Sequence, residues 1–322
     1  MNEVVAVDIG GTHARFALAS IDSGRVAGLG EAITLKTGEF ASFAAAWEAF
    51  GKQLGQPLPR AAAIAIAAPV SGDEIRLTNS PWLIRQASFG EHLGVDAHVL
   101  VNDFEAVGHA VCQAAAGHFF HICGPDRAFG DGTISIIGPG TGLGVAHIRR
   151  AAGDCYVQST EGGHIDFAAL DAFEDDLLRR LRARHGRVSV ERIVSGPGLI
   201  SIFEALAAVE NLELIEASDK TVWDRALSNE DDFGNAALDR FCMTLGSVAG
   251  DIALAQGGFA GVVIAGGIGL RLKDVLPRSG FAERFRAKGR FEGLMASIPV
   301  KLITHPQPGL FGAAAAFAKE HS

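Results

Sequence analysis

Residues 4–20, VVAVDIGGTHARFALAS, set the strictest limit on what this chain can fold into. Val4 to Ile9 are a short apolar run rich in β-branched residues, which predicts a buried strand. Gly10 and Gly11 supply a turn, and Arg15 to Ala19 resume a strand. The unit is therefore a β-hairpin with Asp8, Gly10, Gly11 and Thr12 at its tip. Glycines at such a tip let backbone N–H groups approach an anion closely. A carboxylate beside them can orient a hydrated metal ion, and the Thr12 hydroxyl can bond a phosphate oxygen. These residues fit a phosphate-binding hairpin, and equally an ordinary Gly-Gly hairpin with an acidic surface residue.

The theme returns at Gly130 to Ile148. Thr133 to Ile137 read as a strand, GPGTGLG as a turn from Gly138 to Gly144, and Val145 to Ile148 as a strand again. Gly138, Gly140, Thr141 and Gly142 repeat the glycine-and-threonine chemistry of the first tip, as a phosphate cradle or a plain flexible turn. Two such units predict two related α/β halves, although no close sequence repeat is present. Other nucleotide motifs are absent. The chain has no GxGxxG fingerprint and no GxxxxGK[ST] loop, so it is neither a dinucleotide-binding chain of that type nor a P-loop NTPase.

Between and after these hairpins the pattern alternates. Helical spacing marks 40–54, 104–116, 170–184, 200–209, 238–255 and 309–319, and apolar strands are predicted at 61–68, 98–101, 262–265 and 300–304. Gly266 and Gly267 open the element that follows the strand at 262–265. The chain of 322 residues is long enough for one large or two ordinary domains. Its net charge of −9 argues against nucleic acid as a partner. Cys112, Cys123, Cys155 and Cys242 form no CxxC pair, which predicts reduced thiols in a cytoplasmic protein. The uncharged run Ile252 to Leu270 holds six glycines and is read as core, so no membrane span or signal peptide is expected.

Three further stretches carry chemistry. Asn102 and Asp103 stand at the carboxyl end of a strand and before a helix, where α/β sheets bind ligands. An Asp there can accept a hydroxyl proton while the oxygen attacks phosphorus, or can simply cap the helix. Glu161 and His164 flank two glycines and can both hydrogen-bond a polyol. A metal site there would need further ligands, with Asp166 the obvious local candidate. Glu191 is either another polyol ligand or a carboxylate at a helix start.

Taken in order, DIGGTHAR at 8–15, LTNSPW at 77–82, VNDFEAVG at 101–108, GPGTGLGVA at 138–146, EGGHIDF at 161–167, ERIVSGPGL at 191–199, AGGI at 265–268 and PGLFGAAAA at 308–316 resemble the bacterial glucokinase family. The resemblance spans nearly the whole chain. It implies a two-domain actin-like (ribonuclease H-like) sugar-kinase fold with an interdomain cleft, a smaller domain from 1–110 plus 301–322 and a larger one from 111–300. It also implies ATP-dependent phosphorylation of glucose to glucose 6-phosphate, with the halves closing on the sugar. In that pattern Asp103 is the general base on the 6-hydroxyl. Asn102, Glu161, His164 and Glu191 hold the other hydroxyls, and Asn79 lies near the sugar. Asp8, Gly10, Gly11, Thr12, Gly138, Gly140, Thr141 and Gly142 cradle phosphates, with Asp8 contacting Mg²⁺ through water, and Gly266 and Gly267 flank the adenosine. A homodimer is the family expectation.

The chain departs from the pattern at His13, where the family usually has Asn. It also lacks the cysteine-rich zinc loop of the neighbouring repressor–kinase family, whose N-terminal helix-turn-helix has no counterpart in its opening strand. The alternatives to a glucokinase are a kinase for another hexose or another phosphoryl donor, and a non-catalytic sugar sensor on the same fold.

Overall fold

The computed structural model describes residues 2–77, 82–212, 219–228 and 232–321. They fall into two compact units, one drawn from 1–115, 157–159 and 305–322, the other from 116–156 and 160–304.

In the first unit β1 (Asn2–Ile9) and β2 (His13–Asp22) form the hairpin anticipated from the sequence, with Asp8 opposite Arg15. β3 (Arg25–Leu29) and β4 (Ile33–Lys36) both pair with β2. On the other side β5 (Ala61–Ile66) lies parallel to β1. A separate small sheet joins β6 (Glu74–Arg76) to β7 (Leu83–Arg85). β8 (Ala97–Asn102) then extends the main sheet parallel to β5, giving the order β3-β2-β1-β5-β8.

This sheet is covered on both faces, which is why β1 reads as a continuous apolar run rather than an alternating one. Successive residues still point to opposite sides. Val5, Val7 and Ile9 enter a core with Phe43, Trp47 and Phe50 of α1 (Phe43–Leu54) and Phe89 of α2 (Phe89–Leu93). Ser42 caps α1 by accepting the Ala45 N–H at 3.2 Å. Val4 and Ala6 enter the opposite core, with Ala106 of α3 (Asp103–Gln113) and with Leu310, Ala313, Ala314 and Phe317 of the terminal helix Pro308–Glu320. Asp8 shares the parity of Val4 and Ala6, so it points to the side that the terminal helix covers.

One boundary differs by a residue from expectation. Asn102, not Asp103, caps α3: its side-chain oxygen accepts the N–H groups of Phe104 at 2.9 Å and Glu105 at 3.3 Å. A carboxamide and a carboxylate both suit that position, so adjacent Asn and Asp leave the choice open in sequence.

The second unit repeats the pattern of the first. After β9 (Phe119–Cys123), β10 (Gly132–Pro139) and β11 (Leu143–Ala151) form a hairpin, with β12 (Asp154–Thr160) beyond β11. β13 (Gly261–Ile264) and β14 (Val300–Ile303) follow β10 in parallel, and β9 closes the edge antiparallel to β14. The order β12-β11-β10-β13-β14 therefore runs through the same pairings as β3-β2-β1-β5-β8. The helices of this unit include α4 (Ala172–His185), α5 (Gly196–Val209), α6 (Asp219–Leu227), α7 (Asp232–Gln256) and α8 (Gly266–Arg271). Leu238, Phe241, Leu245 and Ile252 of α7 bury one stripe against Val145, Val262 and Ile264 of the sheet and the neighbouring helices. No helix among the described residues is long and apolar enough to cross a membrane.

The terminal helix can lie on α3 only because residue 312 is glycine: a Cβ there would collide with the carbonyl oxygen of Ala106. Gly312→Ala is expected to destabilise the first unit by about 3 kcal/mol, the upper end for an overpacked core, because backbone must move. A thermal melt that leaves the midpoint unchanged would contradict this packing.

Candidate functional site

Each unit presents a glycine turn and a set of polar side chains. In the first unit the hairpin tip is braced from the turn after β4. The Thr37 hydroxyl donates to the Gly11 carbonyl at 3.0 Å, and the Thr37 N–H donates to the Thr12 carbonyl at 3.0 Å. Gly10 N–H donates to the His13 carbonyl at 2.9 Å. Thr37 is buried and so holds the tip rigidly. It also engages two carbonyl oxygens of the kind that would repel a phosphate. His13 is exposed on β2, paired across the sheet with Lys36.

Asp8 accepts a hydrogen bond from Arg15 Nη1 at 3.1 Å, a contact dictated by their facing positions in the hairpin. Its carboxylate also abuts Gly309 in the first turn of the terminal helix. A Cβ on that glycine would stand 2.7 Å from Asp8 Oδ2. Burial pushes the Asp8 carboxyl up from its ordinary value, with the Arg15 guanidinium pulling the other way. The side chain is thus a desolvated carboxylate with one cationic partner. Mg²⁺ is commonly bound through one or two carboxylates, retained waters and substrate phosphates, and Asp8 beside the braced glycine tip fits that arrangement. No group of three or more His, Cys, Asp or Glu side chains that could hold a metal by themselves occurs among the described residues.

At the end of β8, Asn102 donates from Nδ2 to the Ala68 carbonyl at 3.3 Å while capping α3. Asp103 is the first residue of α3, where the helix dipole favours a negative charge, and its Oδ1 accepts the Phe104 N–H at 3.0 Å. Asn79 lies outside the described residues.

The second unit brings together residues far apart in sequence. The turn at 138–144 is closed by Gly138 opposite Gly144 and by a Gly140 N–H bond to the Gly142 carbonyl at 2.8 Å. Gly196, at the start of α5, donates its N–H to the Gly140 carbonyl at 2.8 Å. Thr141 is exposed at the tip. Gly266 has a φ of 78° and approaches the same turn, a Cβ there standing 2.6 Å from the Pro139 carbonyl oxygen. A Cβ on Gly267 would meet nothing within 4 Å, which leaves open space at the start of α8.

Glu161, His164 and Glu191 converge. His164 Nε2 lies 3.8 Å from Glu161 Oε2, and His164 Nδ1 lies 4.0 Å from Glu191 Oε1. The side chains of Glu161 and His164 are 67% and 56% exposed, so both can meet a solute, whereas Glu191 is 29% exposed and half-held by the protein. Its other oxygen accepts the Leu143 N–H at 2.9 Å. Asp166 is paired with Arg187 Nε at 2.7 Å. Chemically this is two acceptors around an imidazole, which suits a polyol. Sequence reasoning did not single out Arg15, Thr37, Leu143, Gly196 or Gly309. Arg15 carried a usable signal, its register across the hairpin. Thr37 and Gly309 act from distant turns, where spacing gives no clue.

Solved structures place this architecture. A ROK hexokinase from Thermus thermophilus matches with a TM-score of 0.65 at 17% identity, covering 97% of each chain, a likeness of fold alone. A glucokinase from an Antarctic psychrotroph matches with a TM-score of 0.86 at 33% identity over 100% of both chains. The fold is that of the actin-like sugar kinases. Within that class the sequence comparisons are narrower. The family model for glucokinase matches residues 5–320, and the glucokinase of Zymomonas mobilis is 59% identical over 321 residues, 99% of each chain. The chain belongs to the glucokinase family.

Asp8 carries a burial cost that asparagine would not. Its ionised form is disfavoured in the folded state, so stability falls as pH rises above the ordinary carboxylate value of 3.8. Asp8→Asn is expected to raise the thermal midpoint at pH 7, with the gain shrinking as the pH falls toward that value. A lower midpoint at pH 7 would show that the Arg15 pair outweighs the burial.

Proposed function

We propose that this chain is an ATP-dependent glucokinase, transferring the γ-phosphoryl group of ATP to the 6-hydroxyl of glucose and releasing glucose 6-phosphate and ADP. The observation that carries the reading is the 59% identity to a glucokinase over the full length of both chains. The site chemistry supports it. Phosphoryl transfer demands positioning and charge stabilisation rather than covalent catalysis, and the two units supply polar groups of both kinds.

In this reading Glu161, His164, Glu191 and Asn102 bind the sugar hydroxyls, with Asn79 contributing beside them. Asp103 takes the proton of the 6-hydroxyl as its oxygen bonds to the γ-phosphorus and the bond from that phosphorus to the β–γ bridging oxygen breaks. Asn102 takes the two-amide cap of α3, and Asp103 shares only the Phe104 N–H, through Oδ1. Gly11, Thr12, Gly138, Thr141 and Gly142 present backbone and hydroxyl donors to phosphate oxygens, while Gly10 and Gly140 shape the two phosphate turns through their own N–H bonds to the His13 and Gly142 carbonyls. Gly266 and Gly267 leave room for adenosine. Asp8 would hold Mg²⁺ through water. Mg²⁺ supplies neutralisation of the charge on the β- and γ-phosphates. The protein works as a cytoplasmic homodimer in glycolysis, which family resemblance supports; light scattering on the purified chain reads the assembly.

Steady-state phosphorylation of glucose with Mg-ATP tests the reading, with mannose, fructose and N-acetylglucosamine in parallel and a sugar-free control. Preference for glucose with little sugar-free hydrolysis is the expected result. A different preferred hexose would reassign the substrate, and glucose binding without turnover would make the chain a sensor. Asp103→Asn is expected to lower kcat by about 10²–10⁴-fold while glucose binding by calorimetry persists, the range for loss of a general base. Glu161→Gln should raise the glucose KM by about tenfold or more, since a charged acceptor becomes a mixed donor–acceptor amide. An unchanged KM would remove Glu161 from the sugar site.

A further inference from the structure

The turn at 138–144 and the sugar-facing side chains of the second unit are tied by contacts that neither role requires alone. Glu191 Oε2 accepts the Leu143 N–H at 2.9 Å, while its Oε1 faces His164 Nδ1 at 4.0 Å. A Cβ on Gly142 would collide with that same Oε2. A Cβ on Gly163, between Glu161 and His164, would collide with the carbonyl oxygen of Leu143. The two polar backbone groups of Leu143 are therefore engaged or closely covered by the sugar-facing segments. Gly196 holds the far side of the turn through Gly140.

We infer that Glu191 is a positioning residue for the nucleotide as well as a sugar ligand, with one carboxylate oxygen facing the sugar and the other fixing the phosphate turn. Gly142 then serves this tie: its missing side chain makes room for the Glu191 carboxylate, beyond any phosphate contact of its own backbone. Movement of the carboxylate toward or away from a sugar hydroxyl changes the hydrogen bond that sets the turn. Sugar and nucleotide affinities are consequently coupled through one side chain, and the coupling is reciprocal. The inference rests on the proposed assignment of sugar and phosphate to these two segments.

The distinguishing variants are Glu191→Ala and Glu191→Gln. The amide of Gln keeps an oxygen that can accept the Leu143 N–H, whereas Ala removes it. Binding of a non-hydrolysable ATP analogue is measured by calorimetry in the absence of sugar, so that loss of glucose contacts cannot enter. Glu191→Ala is expected to weaken the analogue about tenfold or more, near the lower end for losing a hydrogen bond to a charged group, and Glu191→Gln to leave it within about twofold. Both weaken glucose. Gly142→Ala is expected to weaken glucose about tenfold, through displacement of the carboxylate, and Gly142→Ala with Glu191→Asp to recover part of that loss because the shorter side chain withdraws from the new methyl group.

Equal analogue affinity in wild type and Glu191→Ala overturns the tie while leaving the sugar role standing. Equal loss in Glu191→Ala and Glu191→Gln overturns it too, by assigning the effect to charge rather than to the Leu143 bond. If wild-type protein binds the analogue but no hexose, the proposed function fails instead, and the Glu191→Ala result still decides whether the turn depends on this carboxylate. A melt of each variant separates these outcomes from unfolding, and the Glu191 pair supplies the answer should Gly142→Ala not fold.

Discussion

The contact between Gly312 and the carbonyl of Ala106 governs the first unit. It lets the terminal helix settle on α3 at a distance that any side chain would forbid. The face of the sheet beneath is correspondingly lined with small residues, Ala6, Ala17, Ala63 and Ala65, which meet Ala313 and Ala314. From this one approach come two placements. The start of the helix brings Gly309 against the Asp8 carboxylate, and the helix flank fixes α3, whose first residue is Asp103. The end of β1 and the start of α3, remote in sequence, are thereby set by a common partner. Close packing converts a missing methyl group into a positional constraint on two acidic side chains.

The second unit achieves a comparable result with a hydrogen bond in place of a helix. Its glycine turn is not a free loop between β10 and β11. Glu191 takes the Leu143 N–H, Gly163 covers the Leu143 carbonyl and Gly196 binds the Gly140 carbonyl. Four of these five positions are glycines or lie beside one, because backbone must approach backbone. The turn is thus held in place by the protein itself, and a loop held in this way loses less entropy on binding.

Much of this was legible in the sequence. The two hairpins were visible because β-branched runs and paired glycines are local signals, and the repeated theme anticipated two related α/β halves, whose sheets the fold shows to share a strand order. Glu161 and His164 were recognisable as polar groups around two glycines, and Glu191 as a polyol ligand or a helix-start carboxylate, although only the fold shows that they converge. The cap of α3 fell on Asn102 rather than Asp103, since adjacent residues of like hydrogen-bonding capacity leave the boundary undetermined. β9 was missed because its partner β14 lies about 180 residues away and sets the pairing. α6 was missed because its buried stripe, Val222, Trp223 and Ala226, is too short to show a period. The braces of the hairpin tip were illegible for another reason: Thr37 and Gly309 are ordinary turn and helix-start residues until tertiary packing brings them to Asp8 and its neighbours.

The terminal helix also sets the timing of assembly. Val4, Ala6, Ala63 and Ala65 are made before the second unit, and the side chains that bury their face, Leu310, Ala313, Ala314 and Phe317, after it. Domains generally acquire structure as the chain is synthesised, the N-terminal one first. Here that order is reversed, because the whole second unit emerges before the first can cover its sheet. Until residues 308–317 leave the ribosome, an apolar sheet face awaits its partner, and transiently exposed surface of that kind is prone to aggregate.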